Sequence, residues 1–107
     1  MPKYLIRGSY TAEGVKGLLK DGGTKRRAVV DQTVRSVGGS LEAFYFAFGG
    51  DDVVVISDLP DDASAIAVSL AVSAGGAVGG LNTTVLITPE TVDEAARKIV
   101  QYTPVGQ

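Results

Sequence analysis

The chain has 107 residues, 45% of them apolar and 21% charged, the usage of a soluble globular protein and not of a disordered or collagen-like one. One domain spanning 1–107 is expected at this length, burying roughly two-thirds of the surface of the unfolded chain. The net charge is −2 and His, Cys and Trp are absent, which excludes Ser-His-Asp and Cys-His triads, thiolate nucleophiles, zinc fingers, iron–sulfur clusters and His-ligated haem.

Lys3 to Tyr10 alternates, with Tyr4, Ile6, Gly8 and Tyr10 on one side and Leu5, Arg7 and Ser9 on the other, which is the period of a strand. Thr11 is a suitable N-cap for a helix whose apolar stripe, Val15, Leu18 and Leu19, stops at Asp21-Gly22-Gly23. Thr24 is placed to cap a second piece from Lys25 to Val37, in which Val30, Val34 and Val37 share a face before Gly38-Gly39. The crossover is therefore expected to be one long or kinked helical segment. Ser40 to Phe48 and the β-branched run Val53 to Ile56 read as a β-hairpin turned at Gly49-Gly50-Asp51-Asp52. Ile66, Ala67, Leu70, Ala71 and Ala74 then follow helical spacing, so a helix is expected over about 61–74. A glycine-rich loop over 75–80 precedes a fourth strand, Thr83 to Thr88. Thr88-Pro89 opens a last helix with the stripe Val92, Ala95, Ala96, Ile99 and Val100.

The order βα-ββ-αβ is the ferredoxin-like, split βαβ arrangement, an α+β fold with two helical crossovers on one face of a four-stranded antiparallel sheet, here with an extra C-terminal helix. Both faces of that sheet look apolar. Phe44, Phe46 and Phe48 oppose Leu41, Ala43, Tyr45 and Ala47, while Val53 and Val55 oppose Val54 and Ile56. The C-terminal helix is expected to cover part of the second face and another protomer the rest, in a two-fold, barrel-like homodimer or larger homo-oligomer.

Charge is polarised along the chain: residues 1–50 carry eight Lys/Arg against four Asp/Glu, and 51–107 carry two against eight. Such asymmetry can align protomers or steer an anionic ligand. The acidic balance and the lack of a glycine-flanked aromatic signature argue against nucleic acid as a partner. The most apolar stretch, 63–78, is short and broken by Ser and Gly, so no membrane segment is expected. The N-terminus reads as mature, without a secretion signal, and the absence of Cys fits a reducing cytoplasm.

The segments KYLIRGSYTAEGVKGLLKDGG, LEAFYFAFGGDDVVVISDLPDD and TTVLITPETVDEA resemble the GYD domain family over nearly the whole chain. That resemblance implies a small bacterial or archaeal protein of ferredoxin-like, dimeric α/β-barrel type, and it brings no biochemical activity with it. The family's Gly-x-Tyr-Asp pattern maps onto Gly49, Gly50, Asp51 and Asp52, with Asp51 standing where the family has Tyr.

Candidate ligand-binding residues each have a plainer structural reading. Tyr10 and Thr11 lie where the first strand meets a helix N-terminus, a place for an anion or simply a cap. Arg26 and Arg27, in a cluster with Lys20 and Lys25, can grip a carboxylate in two places or be a solvated face. Arg7 lies mid-strand and suits a polar cavity, or an ion pair with Glu42 or Asp58. Tyr45 suits a hydrophobic pocket, core or interface. Asp52 belongs to an acidic region that could meet a hard cation but matches no EF-hand loop, and turn and capping duty is the favoured reading. No metal or cofactor is expected.

Two functions are consistent with these residues. One is an oligomeric ligand-binding or assembly module. The other is a cofactor-free or substrate-assisted enzyme of isomerase or monooxygenase type, in which Tyr10 or Tyr45 polarises a small hydrophobic acid or phenol held by Arg7 or Arg26. Convergence of Arg7, Tyr10 and Tyr45 on one cavity separates the two.

Overall fold

The computed structural model describes residues 1–107. In chain order the elements are β1 (Lys3–Tyr10), α1 (Ala12–Asp21), α2 (Gly23–Ser36), β2 (Ser40–Phe46), β3 (Val53–Asp58), α3 (Asp62–Ala74), β4 (Val78–Leu86) and α4 (Pro89–Ala96). The strands form one antiparallel sheet in the order β2-β3-β1-β4. This is the ferredoxin-like order, and the α+β fold is the one expected.

The core lies between the sheet and the crossover helices. Tyr4 and Ile6 of β1 meet Val53 and Val55 of β3, Val34 of α2, and Ala65 and Val68 of α3, with Leu59 closing the end after β3. Leu59 is fully buried, so Leu59→Ala leaves a cavity; we expect a loss of about 3 kcal/mol in denaturant unfolding. Tyr4 is buried as well, and its hydroxyl donates to Asp62 Oδ1 at 2.7 Å, tying β1 to the first turn of α3. The hydrogen bond to the Asp62 carboxylate and desolvation together push the phenol pKa from 10.0 up to about 12. A raised pKa favours the protonated folded form, so this contribution is complete below the unfolded value and is lost as pH climbs through 10 to about 12. Tyr4→Phe should therefore unfold with a flatter pH dependence across that alkaline window, read by denaturant titration at several pH values.

Several elements differ from the sequence expectation. The first crossover is two helices and not one, because Gly22 adopts a φ of +84° that a helix cannot continue through. Gly22 ends α1 and also precedes α2, so Thr24 lies inside α2 and caps nothing. β2 ends at Phe46, and Phe48 is 95% exposed. A bulge between Leu41 and Ala43 puts Leu41 opposite Ser57 and Phe44 opposite Val55, so Leu41 joins the Phe44 side of the sheet instead of the Tyr45 side. β4 begins at Val78, five residues before the expected start, because the glycine-rich stretch pairs with Ser9 and Tyr10 through a bulge that Gly80 accommodates at a φ of +58°.

The helical stripes also needed tertiary context. On α3 the buried side chains are Ala65 and Val68, with Val72 packed behind them, whereas Ile66 and Leu70 are 57% and 66% exposed. The helix is apolar nearly all round, so spacing did not specify which side faces the sheet. α4 stops at Ala96, where Arg97 and Lys98 donate to the carbonyls of Glu94 and Ala95 in a tightened last turn. None of its residues is buried, and Ile99, Val100, Tyr102 and Val105 beyond it are exposed. The C-terminal helix thus does not cover the second face of the sheet, since its apolar stripe meets no surface of its own chain.

Candidate functional site

The side chains that alternate toward the helices enclose a cavity of about 40 Å³ between the sheet and α2 and α3. Ile6, Val55, Phe44 and Val68 contribute to its walls, and Arg26 is the one charged residue that lines it. Tyr10, the last residue of β1, reaches the same cavity, its ring tilted against that of Phe46 with centroids 6.4 Å apart. The Tyr10 hydroxyl oxygen is buried and has no hydrogen-bond partner. A buried hydroxyl in that state is uncommon, and the Ser57 hydroxyl shares it.

Two outer recesses open from this point. One, of about 190 Å³, is bounded by α1 and the start of α2 and shares Tyr10 and Arg26 with the inner cavity. The other, of about 300 Å³, runs between α2 and α3 past Val29, Val30 and Val72 and again includes Arg26. Arg26 therefore stands where all three meet. Lys25 pairs with Asp21 at 3.6 Å and Arg35 with Asp31 at 3.2 Å, whereas Arg26 has no carboxylate within 4.0 Å. A guanidinium without a counter-charge retains its capacity to hold an anion in two places.

The other sequence candidates lie elsewhere. Thr11 is fully used by the fold: its hydroxyl accepts from the Gly14 N–H at 3.2 Å and donates to the Gly76 carbonyl at 2.8 Å. Asp52 latches the turn to the end of β1, accepting the Tyr10 N–H through Oδ2 at 2.9 Å. Arg27 and Tyr45 border a shallow recess beside the edge strand β2, together with Asp31 and Glu42. Arg7 sits on the face of the sheet away from the helices, opposite Val54, which in turn pairs with Tyr45. Arg7 and Tyr45 thus flank Val54 on one side of the sheet and Tyr10 lies on the other, so no single cavity gathers all three.

The expected partners of Arg7 are also corrected. Lys3 takes both Glu42 and Asp58, each at 2.9 Å, because register places Asp58 opposite Lys3. The hydrogen bonds that Lys3 donates to these carboxylates raise its pKa, the one to Glu42 contributing more than the one to Asp58. Arg7 instead faces Asp51 across 3.9 Å, and its Nε is buried without a hydrogen-bond partner. No group of three carboxylates is arranged to hold a metal ion, and no helix is long and apolar enough to cross a membrane.

The family model of the GYD domain matches residues 4–96. The chain belongs to the GYD domain family. No curated protein matches it. The matched stretch of this GYD domain runs from β1 to the last residue of α4, and so contains Tyr10, Arg26 and every wall of the cavity. The groove residues Val29 and Val72 were not singled out by sequence reasoning. Their signal was present, since Val68 and Val72 are four apart on α3, but the stripe of Ile66 and Leu70 competed with it. Nor was Asp51 expected as the partner of Arg7, which depends on how the turn folds back toward β1.

Proposed function

We propose that this GYD domain is a homo-oligomeric ligand-binding module of the cytoplasm, in which pairs of protomers join through the open sheet face while each retains its own helix-side cavity. The observation that carries the binding half is the apolar cavity between the sheet and α2 and α3, with Tyr10 and Arg26 among the residues that line it. Small-molecule sites are concave and mostly apolar in the same way. The assembly half is supported by Leu5, Val54, Ile56, Ala43 and Tyr45, which share the sheet face that no helix covers. An apolar sheet face is stable when a second layer packs on it. An isomerase- or monooxygenase-type enzyme would have only Tyr10 and Arg26 to work with on the cavity side, so binding is the better-supported reading.

Native mass spectrometry of gently purified protein tests both halves. The expected spectrum is a dimer or larger ring, with additional mass from a retained small molecule. A ligand-free compact monomer at micromolar concentration would overturn the proposal.

A further inference from the structure

We infer that α4 and the residues after it form an exchange arm, which in the assembled protein lies in the groove between α3 and β4 of a second copy of this chain. The inference rests on the assembly half of the reading above and is independent of the cavity. β4 is an edge of the sheet, and its nine residues, Val78–Leu86, include no charged residue and no Pro. Sheets guard such an edge with charge, with Pro or with a covering helix or loop. Beside it the Ser69 and Thr83 hydroxyls meet at 2.9 Å and join α3 to β4. α3 starts at the Tyr4 end of the sheet and finishes near Thr11, whereas β4 starts opposite Tyr10 and finishes opposite Lys3. Ile66 therefore lies toward Val85 and Leu70 toward Leu81, all on the flank left open. Ile66, Leu70 and Leu81 line a groove of about 310 Å³ there, and none of its lining residues is charged.

The same chain supplies the occupant. α4 is the one helix with no buried residue, and eight residues are too few to hold a helix in water without packing. Glu90, Asp93 and Glu94 share one side of it, and Val92, Ala95 and Ala96 the other. The apolar side thus suits an uncharged groove while the carboxylates stay in water. The arm does not lie in its own groove, since Val92, Ile66 and Leu70 are all more than half exposed. It extends the molecule to 58 Å and the radius of gyration to 17.1 Å, where a compact chain of this length has about 13 Å. One chain presents both an uncovered groove and an arm that fits it, and two copies exchanging arms about a two-fold axis fill both. Sheets packed face to face lie about 10 Å apart and α4 spans about 12 Å, so an arm leaving the end of β4 rounds the edge of the partner's sheet. A contact this small does not hold two copies by itself, and the open sheet face supplies the rest.

Cysteine cross-linking tests the exchange, because the chain has no Cys of its own. Leu70→Cys in the groove and Val92→Cys on the arm, both at exposed positions, are mixed, left to exchange subunits and treated with a short bismaleimide. The expected product is a cross-linked dimer with one of each chain. Its yield should exceed at least about tenfold that of Val92→Cys mixed with Gln32→Cys, an exposed position on α2, and should fall about tenfold when Ile66→Glu is added to the Leu70→Cys chain, because an unpaired carboxylate would then be buried in the groove. A yield no higher than that of the Gln32→Cys control overturns the exchange. So does a Leu70→Cys/Val92→Cys double variant that cross-links within one chain at dilution, since the arm would then occupy its own groove. Native mass spectrometry of the parent separates this inference from the reading it rests on. A parent dimer without the cross-link overturns the arm alone, whereas a parent monomer overturns the arm and the sheet-face assembly together.

Discussion

Alanine at Gly14 should destabilise the protein by about 3 kcal/mol, and alanine at Gly17, three residues along the same helix, should stabilise it by about 0.5–1 kcal/mol. Gly14 is the buried residue of α1. A Cβ there would run into the Ala77 carbonyl and lie 2.9 Å from Tyr10 Cδ1. Neither side can retreat easily, because the Thr11 N–H donates to the Ala77 carbonyl at 3.0 Å and the Thr11 hydroxyl to that of Gly76 at 2.8 Å. The clash therefore loosens the junction of β1, α1 and β4, and it moves Tyr10 with it. Gly17 has nothing within 4 Å of its would-be Cβ, so alanine there contributes helix propensity alone. The pair is checked by denaturant unfolding of both variants; a Gly14→Ala protein as stable as the parent would show that the α1 junction yields.

Ile56→Glu is expected to dissociate the proposed assembly while leaving each protomer folded. Ile56 lies on the sheet face away from the helices, in register with Leu5 of β1 and Ala43 of β2. In a dimer joined through that face a carboxylate at this position would be buried without a partner, at a cost of several kcal/mol and so a weakening of the dimer by more than about a hundredfold. Val55→Glu, one residue earlier, puts the same charge into the helix-side core, where Val55 is buried, and is expected to unfold the chain instead. Native mass spectrometry with circular dichroism distinguishes the two. An Ile56→Glu protein whose mass remains that of the parent oligomer would place the interface on another surface, such as the exposed Ile66 and Leu70 of α3.

Both predictions depend on which face of an element is covered, and that was only partly legible in the chain. The alternation of Tyr4 and Ile6 against Leu5 and Arg7 was enough to place β1, since period two permits one pairing of sides. Thr11, Asp61 and Thr88 announce helix starts, and each caps as its local chemistry requires, accepting the N–H of Gly14, Ser64 and Thr91. The family, too, was visible in short segments. Face selection on α3 was not, because apolar residues surround that helix and only docking on the sheet chooses Ala65 and Val68 over Ile66 and Leu70.

The candidate site shows the same division. Tyr10 and Arg26 were recognisable as chemistry-bearing residues, but they lie 16 positions apart, and only the packing of α2 over the end of β1 brings them to one cavity. Arg7 and Tyr45 were equally plausible from their types, yet the pleat sends them to the opposite side of the sheet. By itself the sequence determined the order of elements, the fold class and the absence of His and Cys chemistry, because these depend on residue type and local period. Tertiary structure alone decided the bulges at Glu42 and Gly80, the pairing of Arg7 with Asp51 and the joining of Tyr10 to Arg26, because each depends on how distant segments stack and not on what either segment prefers alone.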